Sequence, residues 1–169
     1  MSTKNYFRKD KLLELIHFKS AGAGFTLVEL ISVIAIIAIL SAITIPAYGV
    51  YITKAQIART IAEIRMMEKE ITIYQSDTGH LPDTLGDIGQ ANLMDPWGHP
   101  YQYLNIADGG IKGKGKLRRD GAINPLNTDY DLYSMGKDGE SKLPLNLKES
   151  LDDIVRARDG SFVGLAENF

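Results

Sequence analysis

A carboxylate stands at the threshold of the least polar stretch of this sequence. Glu29 is followed by 24 residues without a formal charge, Leu30–Thr53, which begin LISVIAIIAILSAITIPA. An acid in such surroundings is costly unless paired, and by default it marks a functional group whose cationic partner has to be found. The nearest preceding base is Lys19, beyond the small, flexible stretch Ser20–Gly24, which suits a protease groove. A cut after Gly24 would place a new α-amino group on Phe25, one helical turn from Glu29. The bland reading is a headgroup-level carboxylate that favours a helix N-terminus through the dipole. Taken alone, the residue leaves both open.

The other chemistry-bearing residues form no catalytic constellation. There is no cysteine, so a disulfide, a zinc–thiolate site and a Cys nucleophile are all excluded. Of three histidines, His17 precedes the apolar run, while His80 and His99 flank turns with no nucleophile or metal-ligand spacing nearby. Gly110-x4-Gly115-Lys116 approaches a phosphate-loop pattern, but Leu117 stands where Ser or Thr is needed and no buried strand feeds it. That stretch reads as an exposed hairpin tip. Its cations, Lys112, Lys114, Lys116, Arg118 and Arg119, could meet phosphate, another protein or an acidic neighbour, yet the acidic remainder of the chain argues against nucleic acid. Trp97, between two prolines, reads as a loop anchor. No enzyme is indicated.

These residues need elements to position them, and 169 residues allow one domain plus accessory segments. The uncharged run would cover about 36 Å as a helix, enough to cross a hydrocarbon core of roughly 30 Å. It is too long for a cleaved secretory signal, and a cut after Ala47 would put Ile45 where a small residue is required. Residues 1–24 carry five basic groups against Asp10 and Glu14, a net of +3 that leaves −5 on the remaining 145. The N-terminus should therefore face the cytoplasm. Beyond the run, Ile57, Ile61, Ile64, Met67, Ile71 and Tyr74 recur at helical spacing, and Gly79 with Pro82 should stop that helix. The region from His80 is small and must lean on this stem. Tyr101–Ile106 and Tyr130–Met135 alternate as strands, and Asn146 should cap a short helix through Leu147, Leu151, Ile154 and Val155. The expected class is α+β, a long helix packed on a small antiparallel sheet with a C-terminal loop region.

Gly24-Phe25-Thr26-Leu27-Val28-Glu29, with a basic leader before it and the apolar run and Pro46 after it, resembles the class III signal of type IV prepilins and type II secretion pseudopilins. The resemblance implies a pilin-like fold and the segments 1–24 (cleaved leader), 25–53 (transmembrane and polymerisation helix), 54–79 (amphipathic stem) and 80–169 (periplasmic globular region). It implies cleavage between Gly24 and Phe25 by a prepilin peptidase, N-methylation of Phe25, and pairing of Glu29 with the terminal amine of a neighbouring subunit. Burying an acid and an ammonium together is far cheaper than burying either alone, so such a pair would select the filament register. Pro46 removes a helix hydrogen bond and, with Gly49 close behind, marks where the helix should bend or melt on assembly.

Asp95–Tyr103 (DPWGHPYQY) and Asp129–Gly139 (DYDLYSMGKDG) resemble the major pseudopilin of type II secretion. That family staples its C-terminal loops with calcium where many type IV pilins use a disulfide. Residue matching gives Asp138, Asp153 or Asp152, and the Met135 carbonyl as ligands, a mixed shell that calcium accepts. Two stretches depart from the family pattern. Ala107–Thr128 is an insertion, and Lys142–Leu151 is longer than the family's link and lacks its glycine pair. The function implied is that of a structural subunit of an inner-membrane-anchored pseudopilus, polymerising through its N-terminal helix to drive export of folded proteins across the outer membrane. Its partners would be further copies, minor pseudopilins, the prepilin peptidase, a platform membrane protein, a secretion ATPase, an outer-membrane secretin and the exported cargo. A type IV pilin for adhesion or DNA uptake is the alternative.

Overall fold

The computed structural model describes residues 24–109, 117–121 and 123–169. The leader before Gly24 and the lysines at 112, 114 and 116 lie outside the described residues. The chain divides into two compact units at Ile45/Pro46. A single helix, α1 (Leu27–Thr78), contributes to both and continues through Pro46. Pro46 has no N–H for the Ala42 carbonyl, so one rung of the ladder is missing there even though the turn persists. In the first unit the apolar side chains of α1, among them Leu30, Ile34, Ile37 and Leu40, are all exposed. A helix apolar all round and uncovered is built for a non-aqueous or protein environment.

In the second unit α1 carries the predicted stripe. Ile64, Met67 and Ile71 are fully buried, Ile57 and Ile61 pack at the margin of the core, and α1 ends where Gly79 takes the left-handed conformation, φ 84°. Four short antiparallel strands follow, β1 (Gln102–Asn105), β2 (Tyr130–Ser134), β3 (Ile154–Ala157) and β4 (Phe162–Leu165), ordered as a meander β1-β2-β3-β4. Strand alternation divides the sheet into two faces. Tyr130, Leu132 and Ile154 join Ile64, Met67 and Ile71 of α1 in one core. Val155 and Ala157 face the other way, into a second cluster with Leu126, Leu145 and Ala166.

The first two strands lie where the alternation placed them. The helix expected through Leu147–Val155 does not form; only the single 3-10 turn Lys148–Ser150 is helical, and Ile154–Ala157 is a central strand. Ile154 and Val155 are β-branched and pair with Ser134 and Tyr133, and all four residues of β3 are buried. β4 completes a hairpin through Asp159-Gly160, both at positive φ (52° and 87°), as primed turns require.

Candidate functional site

In the first unit, Thr26 and Glu29 form a reciprocal cap. The Thr26 hydroxyl oxygen accepts the Glu29 N–H at 3.2 Å, and Glu29 Oε2 accepts both the Thr26 N–H and its hydroxyl at 2.8 Å. This is the capping box of a helix start, legible as Thr-x-x-Glu yet hidden behind the interest of the lone acid. Gly24 and Phe25 are exposed beside it, Phe25 at 85%. The acid therefore has a local partner within its own chain.

In the second unit, a charged lattice joins α1 to the sheet. Arg156 on β3 forks onto Asp129 at 2.7 and 2.6 Å, gives its Nε–H to Glu68 of α1 at 2.7 Å, and lies 3.9 Å over the Tyr130 ring. The Tyr101 hydroxyl donates to Glu63 of the same helix at 2.6 Å. Both tyrosines are pushed upward from the ordinary range, Tyr130 to about 12, chiefly by burial. The turn knot is equally well tied. Asp95 accepts the Trp97 and His99 N–H groups at 3.0 and 2.9 Å and the Ser134 hydroxyl at 2.6 Å, and the His99 ring nitrogen Nδ1 lies 3.0 Å from the Gly136 carbonyl.

The residues expected to hold calcium do not converge. Among the described residues no three His, Asp or Glu side chains gather as a metal-holding group. Asp152 Oδ2 accepts the N–H groups of Lys137 and Asp138, at 2.8 and 3.1 Å, and Asp138 Oδ1 caps its own turn by accepting the Glu140 N–H at 2.8 Å. Asp138 is exposed, whereas Asp153 is fully buried. Asp153 Oδ2 accepts the Ser141 hydroxyl at 2.6 Å and is paired with the guanidinium of Arg118. Its carboxyl is pushed up to about 6, burial outweighing the pull of Arg118. One oxygen, Asp153 Oδ1, has no hydrogen-bond partner. A buried carboxylate already paired with a fixed positive charge is a poor start on a shell of six to eight oxygens. The residues present do not fit calcium. Sequence reasoning counted Arg118 among surface cations; it is 3% exposed.

Known proteins share parts of this sequence. Residues 19–45 match the prokaryotic N-terminal methylation motif. The type IV major fimbrial protein FimA of Dichelobacter nodosus is 38% identical over 125 residues, 74% of this chain and 78% of the relative. The chain belongs to the type IV pilin-like family. Within that family it is 29% identical over 135 residues to the type II secretion system core protein G of Klebsiella pneumoniae, 78% of this chain and 91% of the relative. It is also 35% identical over 86 residues to a fimbrial protein of Neisseria meningitidis, of whose length the match spans about half, 51% of each chain. No solved structure matches the chain. A pilin-like member with one exposed apolar helix at its start fits anchorage in the inner membrane.

Proposed function

We propose that this protein is a structural subunit of a type II secretion pseudopilus, not an enzyme. Cleavage between Gly24 and Phe25 and methylation of Phe25 would produce a terminal amine. During polymerisation Glu29 would exchange its Thr26 partner for that amine on a neighbouring subunit, with the exposed apolar face of α1 buried among other copies. The N-terminus would face the cytoplasm and the globular region the periplasm. A cytoplasmic ATPase and a platform membrane protein would extend the filament, with minor pseudopilins, toward an outer-membrane secretin and its cargo.

The observation that carries the secretion reading is the union of the two pseudopilin-like strings. Asp95 and His99 of the first hold Ser134 and Gly136 of the second. The resemblance thus rests on one physical unit. A strain lacking the gene tests it: exoproteins should accumulate in the periplasm and be released when the gene is returned. Normal export with loss of surface fibres would refute it and favour the second reading, a type IV pilin for adhesion or DNA uptake, which the likeness to two fimbrial proteins supports. Within either reading, Glu29→Gln should leave the chain in the membrane and abolish fibres.

A further inference from the structure

Both departures from the pseudopilin pattern meet at one point. Arg118 belongs to the inserted stretch 107–128, and the lengthened link 142–151 lies directly against it. The Arg119 N–H donates to the Leu143 carbonyl at 3.1 Å, the Leu145 N–H to the Arg119 carbonyl at 3.0 Å, and Arg119 bridges to Pro144. That clasp fixes the backbone from which Arg118 enters the interior. Its guanidinium then reaches three separate segments: Asp153 at the head of β3, the Ser141 hydroxyl at 2.7 Å before the link, and the Tyr133 ring of β2 at 3.9 Å from the centroid. Ser141 closes the triangle by donating to Asp153.

We propose that Arg118 is the built-in cation of the C-terminal loops, holding Asp153, Ser141 and Tyr133 together in place of a divalent ion, so that this subunit folds independently of calcium. The chemistry of the donor set supports it. One planar guanidinium spans two of the groups at once, Nη2 on Asp153 Oδ2 and Nη1 donating to the Ser141 hydroxyl, a geometry its fixed fork of donors suits. Of the other carboxylates the resemblance offers, Asp138 and Asp152, the latter as the alternative to Asp153, each commit one oxygen to capping backbone N–H groups. The insertion and the altered link are then one change: together they bring in the arginine and the backbone clasp that aims it.

The full-length protein in mild detergent provides the test, followed by thermal unfolding in the near-ultraviolet. Excess chelator and millimolar calcium should give the same midpoint, whereas a required ion at about 100-fold above its Kd would raise the midpoint by about 10 °C. Arg118→Met should lower the midpoint by roughly 12–20 °C, the scale expected when one member of a fully buried pair is removed. Arg118→Met combined with Asp153→Leu should recover most of that loss, because the pair is removed together. Terbium, sensitised by Trp97 in the groove it shares with Asp138 and Asp152, gives a reading that does not depend on any variant folding. No saturable signal should appear in the wild type. A midpoint that falls on chelation, saturable terbium binding, or an Arg118→Met protein as stable as the wild type would each overturn the proposal.

Discussion

Replacing Arg156 by methionine should be among the most damaging single changes to the globular unit. The side chain is 5% exposed and serves two acids at once, Glu68 on α1 at 14% exposure and Asp129 at 33%. Methionine fills similar space but leaves Asp129 without its cation and Glu68 with only the half-exposed Arg65. Removing one partner of a fully buried pair costs about 3–5 kcal/mol, and since water reaches a third of Asp129 the low end, about 3 kcal/mol, applies. At about 4 °C per kcal/mol for a unit of this size, the midpoint should drop by about 12 °C. Arg65→Met is the matched control. Arg65 is 44% exposed and contacts Glu68 and the Gly160 carbonyl at the surface, so its loss should cost less than about 1 kcal/mol. Urea and thermal unfolding of both variants decide the matter. If Arg156→Met loses no more than Arg65→Met, the lattice is ornament and α1 is held to the sheet by apolar contact alone.

Apolar contact should be costly to remove in its own right. Ile64→Ala at full burial should lose about 2–5 kcal/mol by chemical denaturation, and Ile73→Ala, 61% exposed on the same helix, within about 0.5 kcal/mol. Gly136→Ala should be worse than Gly79→Ala, although both glycines have positive φ. A Cβ at Gly136 would meet the Asp152 carbonyl oxygen at 2.2 Å, and at Gly79 it would meet nothing within 4 Å. A larger loss at Gly79, measured by melting, would contradict this. At high pH the sign is set by Tyr130, whose folded value of about 12 lies above the unfolded 10.0. The neutral phenol is favoured in the folded state, so stability present below pH 10 should drain away as pH rises toward 12. Absorbance titration should show Tyr101, Tyr103 and Tyr130 ionising late and together with unfolding; one smooth step for every tyrosine near the ordinary value would refute it.

Much of this architecture can be read from periodicity. The stem stripe, its glycine stop and the first two strands follow from spacings of three, four and two, because burial on one face leaves a record in sequence order. The misreading at Asn146–Val155 has a physical cause. Leu147, Leu151, Ile154 and Val155 mimic a helical face, and only the presence of Tyr133 and Ser134 as pairing partners converts the last two into strand. Arg118 was illegible for a related reason. Charge can be counted along a chain, but its partner lies 35 residues away at Asp153, and no local pattern tells a solvated arginine from an interior one. Thr26 could have been found, since Thr-x-x-Glu before an apolar run is a helix-start signature.

The meander has a consequence for how the unit comes into being. Every strand is hydrogen-bonded to the one made just before it, so no late segment must be threaded between earlier ones, and the search for partners is short at each step. β3, which carries Arg156 and follows Asp153, is the third to arrive. With its arrival Glu68 on the stem gains a second, buried cation in Arg156, and Arg118 of the insertion meets its carboxylate at Asp153, immediately before the strand.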